Sequence, residues 1–258
     1  MDRRKQAWLI IGGSVAFLVM ILILKQVLSP PPICDPNIKS KTVILLDHSE
    51  TVSAQTADAI VERAWKHIEE NVPAGELVSI YEVTKLSKTN LRPLFEACKP
   101  RSEGSQYIEN VKRITRDFVN FKTKLKDDLS APIKETKEPA ESPIAQALID
   151  LSLDDKHFRS VDSTKLLIFS DFLEYTPKFS LYSCTNGKQA IQSFRNSRIG
   201  AVERPTFKHA EIQLHVIPRT ISSKISLQCR DEFWLWFFGD NQGPCKNKTC
   251  LSRDDLPG

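Results

Sequence analysis

Two short runs of unbroken apolar residues, each halted by an acid, constrain this chain more than any other feature. Thr42-Val43-Ile44-Leu45-Leu46 stops at Asp47, and Leu166-Leu167-Ile168-Phe169 stops at Ser170-Asp171. A half-exposed strand alternates apolar and polar positions, so a segment apolar throughout has both faces covered. That is the environment of an interior strand in a parallel sheet with helices above and below. Helical spacing alternates with further strand-like stretches around these runs. Ala57, Ile60, Val61, Ala64, Trp65 and Ile68 mark a helix ending before Pro73-Ala74-Gly75, residues 77–83 read as a second strand, and 91–95 as a short third. Ile108, Val111, Ile114, Phe118, Phe121 and Leu125 stripe an amphipathic helix over 106–125. Residues 126–141 read as a charged, proline-containing loop, and Ile144, Ala147, Leu148 and Leu151 as a short helix. One helix is expected around 188–195, a last strand over 212–217 and a last helix over 231–238. The alternation predicts a single α/β domain on a doubly wound, mostly parallel sheet.

The N-terminus sets the expected compartment. Residues 7–24 are uncharged, bounded by Arg3-Arg4-Lys5 and Lys25, and carry Trp8 at an interfacial position. Eighteen residues at 1.5 Å rise come close to spanning the hydrocarbon core. A cleavable signal peptide would have a shorter apolar stretch and a small-x-small site, whereas Lys25-Gln26-Val27-Leu28-Ser29-Pro30 follows here. The reading is a retained transmembrane helix within residues 1–28, with its N-terminus cytoplasmic because the cations precede the span. Residues 29–40 then form a proline-rich linker, 41–240 the α/β domain, and 241–258 a cysteine-containing tail. All six cysteines follow the span, which fits a domain in an oxidising compartment, periplasmic or extracellular.

Charge excludes one class of function. The formal charge is +4, and Arg3, Arg4, Lys5 and Lys25 against Asp2 place +3 of it in the first thirty residues. The remaining chain has no basic footprint with which to track nucleic-acid phosphates. Neither a phosphate-cradling glycine loop nor a G-x-S-x-G nucleophile elbow occurs.

In doubly wound sheets, ligands bind outside the carboxyl ends of the strands. The first apolar run delivers Asp47-His48-Ser49-Glu50-Thr51 there, the second delivers Asp171, and Ser142-Pro143 opens the short helix between them. Two carboxylates and three hydroxyls are hard oxygen ligands of the kind Mg²⁺ takes. The bland alternative is also physical: Ser49, Thr51 and Ser142 are helix-capping types, and Asp47 and Asp171 could be ordinary strand-end carboxylates.

Asp47-x-Ser49-x-Thr51 directly after a buried strand resembles the first loop of the metal-ion-dependent adhesion site of von Willebrand factor A-type domains, a Rossmann-like family. Ser142-Pro-Ile-Ala-Gln-Ala-Leu148 resembles the second loop, and Ser170-Asp171-Phe172 the third. The chain departs from the family in having Ser142 where Thr is commoner, in Pro143 beside it, in the long spacing from Asp47, and in Phe172 where Gly is usual. The resemblance implies a divalent ion, Mg²⁺ or else Mn²⁺ or Ca²⁺, held by Asp47, Ser49, Thr51, Ser142 and Asp171. It implies a protein partner that completes the ion's shell with an Asp or Glu, and binding without catalysis. His48 alternates with the ligands and is expected to face away. Two rival readings remain. One is a structural subunit of a membrane complex whose metal site is not functional. The other is a metal-dependent phosphoesterase using Asp47, Asp171 and Glu174, weakened by the absence of a third convergent carboxylate and of a phosphate-cradling glycine loop, since hydrolysis would need a positioned base or a second metal to activate water.

In the same family the third strand is the antiparallel edge, which implies a Cys34–Cys98 bridge. Cys184, Cys229, Cys245 and Cys250 allow three pairings, and no C-x₂-C blocks support zinc. The apolar run 233–238, Phe-Trp-Leu-Trp-Phe-Phe, reads as a helix packed on the sheet in preference to a membrane-interface or partner-docking helix.

Overall fold

The computed structural model describes residues 20, 34–47, 51–83, 91–105, 109–134, 141–153, 158, 161–182, 184–198, 201–207, 210–219, 224–239 and 251–257. The expected anchor over 7–24, apart from Met20, and Pro30, Pro31 and Pro32 of the linker lie outside them. Among the described residues no helix is long and apolar enough to cross a membrane.

The chain alternates as β1 (Ser40–Leu46), α1 (Ala54–Asn71), β2 (Leu77–Glu82), β3 (Pro93–Cys98), α2 (Val111–Lys134), α3 (Ile144–Leu153), β4 (Ser163–Ser170), a small hairpin β5 (Tyr175–Thr176) and β6 (Phe179–Ser180), α4 (Gly187–Ser197), β7 (Ala210–Val216), α5 (Lys224–Phe237) and β8 (Leu251–Asp255). Six strands form one sheet in the order β3-β2-β1-β4-β7-β8. Only β3 runs antiparallel; β2, β1, β4, β7 and β8 are parallel. The sheet is thus mixed α/β and mostly parallel, as the apolar runs require.

Both faces of β1 and β4 are covered. Ile44, Leu46, Leu167 and Phe169 pack under α1 and α2 against Ile60, Trp65, Phe121 and Leu125. Val43, Leu45, Leu166 and Ile168 pack on the other face against Ile144, Leu148, Phe194 and Phe233. Complete burial of such side chains is worth roughly 1.5–3 kcal/mol each, so these two strands are the centre of the fold. Helix α1 starts at Ser53, whose side chain accepts from the Thr56 N–H. It stops where the Lys99 ammonium donates to the carbonyls of Ile68, Glu69 and Val72 at 2.8, 2.9 and 2.7 Å, a cation on the negative end of the helix. Burial lowers the pKa of Lys99 from its ordinary value.

Disulfides join Cys34 to Cys98, as the A-type resemblance implied, and Cys184 to Cys229. The first ties the chain entering β1 to the end of the edge strand β3. The second ties the start of α4 to α5, inside the same apolar layer. Cys245 and Cys250 lie outside the described residues.

Three expectations need correction. The charged stretch after residue 125 is not a loop up to Lys134, because α2 continues with Leu125, Leu129 and Ile133 on one buried stripe. The charges occupy its outer face, for example as the Lys124–Asp128 pair at 2.5 Å. Pro132 stands in the last turn, where only its own missing N–H is lost. The sheet does not end with β7, and the domain does not end at residue 240. Residues 251–255, read as tail, pair with β7 as the sixth strand, Ile212 facing Leu251 and Val216 facing Asp255. Its burial is weak and its residues polar, so no strand pattern was visible. Finally, α5 begins at Lys224, before residue 231. Its aromatic run belongs to the core as expected, with Phe233, Trp234, Phe237 and Phe238 buried.

A pair of interior histidines gives the fold a pH dependence. His215 on β7 stacks on the Phe169 ring at 4.6 Å, and His67 on α1 is close enough to depress it further. Burial pulls both pKa values down to about 4, aided by Lys165 at His67 and by Arg63 at His215; Glu211 and Asp254 oppose this. In the unfolded chain both would protonate near 6.5. At these two sites the unfolded chain binds more protons between pH 6.5 and 4, so the stability they contribute is fully present above that window and falls with acidification through it, while Asp47 and Glu174, raised by burial to about 7 and 8, contribute in the opposite sense. His215→Gln should lose about 2 kcal/mol less than the parent chain between pH 7 and pH 4.5 in urea melts.

Candidate functional site

The geometry of the candidate site follows from the pairing of β1 with β4. Their register sets Leu46 opposite Phe169, so Asp47 and Ser170 leave the sheet side by side. The Asp47 N–H donates to the Phe169 carbonyl at 2.8 Å, and the Ile217 N–H donates to the Ser170 carbonyl at 2.8 Å, extending the same edge to the end of β7. Strand order reverses between β1 and β4, whose crossovers run to opposite sides, and that is where open α/β sheets leave a crevice.

Asp47 is 3% exposed. Its Oδ2 accepts a 2.7 Å hydrogen bond from the Ser170 hydroxyl, whose oxygen in turn accepts from the Phe172 N–H at 2.7 Å. The other carboxylate oxygen, Oδ1, has no hydrogen-bond partner among the described residues. Ser142 is held against the same edge by two backbone bonds with Tyr175, at 2.8 and 3.1 Å. Its hydroxyl is 1% exposed and near enough to Asp47 to favour the charged carboxylate, yet it is not aligned as a hydrogen-bond partner to any described group. Asp171 follows directly. Its Oδ1 accepts from the Leu173 N–H at 2.8 Å, its Oδ2 forms an ion pair with the Arg219 guanidinium, and its backbone carbonyl accepts from Arg230 at 3.0 Å. Burial, then the Asp171 charge, push Asp47 up to about 7 against the opposing pulls of Ser170, Ser142 and Arg219.

Glu174 completes the acidic set but faces elsewhere. It accepts from the Ala145 N–H at 2.8 Å, and a bond from the Ile144 N–H helps hold its charged form. It thereby occupies the positive end of α3. Burial pushes it up to about 8, with the Asp47 charge contributing in the same direction.

The structure therefore brings together three of the expected residues, Asp47, Ser142 and Asp171. Ser49 lies outside the described residues, as do His48 and Glu50. Thr51 is exposed, and the network described around Asp47 does not include it. Ser170 and Arg219 were missed. Ser170 was visible as the strand-end residue adjoining Asp171. Arg219 was visible only by its place just after β7, the next parallel strand along, whose carboxyl end opens onto the same edge.

Phe172 stands where the resemblance would put a glycine, and its backbone conformation is one that glycine adopts most readily. It alone among the described non-glycine residues has positive φ, at 60°. The left-handed region costs an ordinary residue roughly 1–2 kcal/mol. Here the Phe172 carbonyl accepts from the Trp234 indole at 2.8 Å and the two rings pack edge-to-face at 5.6 Å. Burial of the ring and three fixed contacts outweigh the backbone cost.

The donor set suits a hard divalent cation. It is all oxygen, and among the described residues no aligned hydrogen bond reaches the buried Asp47 Oδ1 or Ser142 hydroxyl, which lie near enough to each other for Ser142 to favour the charged carboxylate. Carboxylates alone do not make the set: among the described residues no three His, Cys, Asp or Glu side chains are grouped to hold a metal. Compared with known proteins, the chain matches no family model and no curated sequence.

Ser170→Ala would leave the Phe172 N–H and Asp47 Oδ2 without their shared partner in a buried site. The expected cost is about 2 kcal/mol, read as a lowered urea midpoint with an unchanged slope.

Proposed function

We propose that this chain is a von Willebrand factor A-type binding domain that captures a protein partner through a divalent cation and catalyses no reaction. The observation that carries the reading is the buried Asp47 carboxylate with the Ser142 hydroxyl close beside it and Asp171 next to both, at the reversal point of the sheet, Asp47 Oδ1 having no aligned donor among the described residues. Asp47, Ser142 and Asp171, joined by Ser49 and Thr51 from the first loop, would hold Mg²⁺, Mn²⁺ or Ca²⁺. An ion held mainly by neutral hydroxyls stays electron-poor, and an Asp or Glu of the partner would complete its shell. The strand order and the antiparallel edge strand support the A-type assignment. The two disulfides support a domain outside the cytoplasm, carried there by an anchor over residues 7–24.

Hydrolysis is the weaker reading, because Glu174 is committed to the backbone N–H groups of α3 and is not poised over a substrate. A specific observation favours one alternative, a structural subunit in which the site binds no metal: the Arg219 guanidinium already supplies Asp171 with a cation.

The two readings separate by calorimetry. Mg²⁺ or Mn²⁺ titrated into the chain should give saturable binding that Asp47→Ala abolishes while its circular dichroism stays unchanged. Recovery of partners from membranes should fall at least tenfold in chelator, a loss of about 1.4 kcal/mol or more. Equal recovery with chelator and with Mg²⁺ would refute metal-dependent capture.

A further inference from the structure

Arg219 stands between the buried site and an exposed aromatic surface. Its Nε pairs with Asp171 Oδ2, its side chain is 13% exposed, and its guanidinium lies over the Tyr182 ring at 5.5 Å from the centroid. Tyr182 packs edge-to-face on Tyr175 at 5.7 Å, and both tyrosines are more than two-fifths exposed. Tyr175 in turn holds Ser142 by its backbone. A continuous set of contacts therefore runs from the Asp171 carboxylate through Arg219 to the tyrosine pair and back to Ser142.

We infer that Arg219 is a resident counter-ion that competes with the divalent cation for Asp171, so that ion entry displaces the guanidinium and releases it from its place over Tyr182. The inference rests on the metal-binding reading above. The physical ground is that a divalent ion and a guanidinium on one carboxylate repel each other in a poorly solvated site, so each weakens the other's hold on Asp171. The Leu173 N–H on Asp171 Oδ1 and the guanidinium on Oδ2 already draw on the charge that the ion would need. Arg219 thus sets the ion affinity of the site and couples its occupancy to the Tyr175–Tyr182 surface, where a partner approaching the ion would land. The released guanidinium would then be available to a partner carboxylate as a bidentate donor.

Two measurements on the whole 258-residue chain in mild detergent test this. The first is Mn²⁺ affinity by calorimetry for the parent chain and for Arg219→Gln. Removing the competitor should tighten Mn²⁺ binding at least tenfold, within the usual range for coupled sites. Binding by Arg219→Gln alone, with none by the parent chain, would support the competition for Asp171 but overturn displacement of Arg219 by ion entry. Equal or weaker binding by Arg219→Gln would overturn the competition while leaving metal binding in place. Binding by neither chain would overturn the metal-binding reading and this inference with it. The second measurement needs no variant and holds if Arg219→Gln does not fold. Phenylglyoxal labelling of Arg219, read by peptide mapping, should be several-fold faster with saturating Mg²⁺ than in chelator. Unchanged labelling with the ion bound would overturn displacement.

Discussion

Parallel pairing of β1 with β4 is the constraint on which the rest of the structure depends. Both strands are apolar on both faces, so neither tolerates a neighbour that leaves a face wet, and the helices on the two sides follow from that demand. The same pairing is what makes a site. A shift of one residue in register would turn Leu46 and Phe169 onto the wrong layers, so the pairing of these two positions is held by the core. Asp47 and Asp171 are then brought to one edge by packing energy and not by attraction between them. Burial, and after it their mutual repulsion, raises the pKa of Asp47, a cost the core imposes.

That cost explains the chemistry assembled around it. Apart from the carboxylates of Asp171 and Glu174, the groups that act on Asp47 are the hydroxyls of Ser170 and Ser142 and the Arg219 guanidinium, each of which favours a negative oxygen. Ser170 bridges Asp47 to the third loop, Arg219 and Arg230 serve Asp171 from the ends of β7 and from α5, and Glu174 finds backbone donors on α3. Among the described residues no aligned hydrogen bond reaches Asp47 Oδ1 or the Ser142 hydroxyl. An edge with excess negative charge and two idle oxygens attracts a cation on electrostatic grounds alone. Arg219 supplies one from within the chain, and a small divalent ion is the form of cation that could use the idle oxygens as well.

The legible parts of the fold were those where burial writes a strong period. Val43 to Leu46 and Leu166 to Phe169 could be read as interior strands because no polar residue interrupts them, and Ile60, Ala64 and Ile68 because they recur at helical spacing. The end of α2 was hidden because its outer face is so charged that Leu129 and Ile133 are outweighed in a simple reading of composition. β8 was hidden because an edge strand buries little and Leu251-Ser252-Arg253-Asp254-Asp255 carries no alternation. At the site, Asp47, Ser142 and Asp171 were legible from their position after or before apolar elements. Arg219 was not, since its relevance depends on β7 lying beside β4, a fact of sheet order and not of local sequence.

Phe172 joins these two levels. A residue at φ 60° in a loop that shapes an anionic site is where glycine costs least, and a glycine there would leave the loop free to sample other conformations. The aromatic ring removes that freedom. It is buried against Trp234 of the last helix, whose indole donates to the Phe172 carbonyl, while Ser170 holds the Phe172 N–H. The Cys184–Cys229 bridge fixes the same helix to the start of α4. Because Ser170 also binds Asp47, the conformation of the loop and the orientation of the first carboxylate are set by one hydroxyl. The backbone strain at Phe172 is thus opposed by the core contacts and hydrogen bonds that hold the residue. A ligand at this edge would meet an Asp171 already in place, and the mobile partner in the exchange would be the long side chain of Arg219.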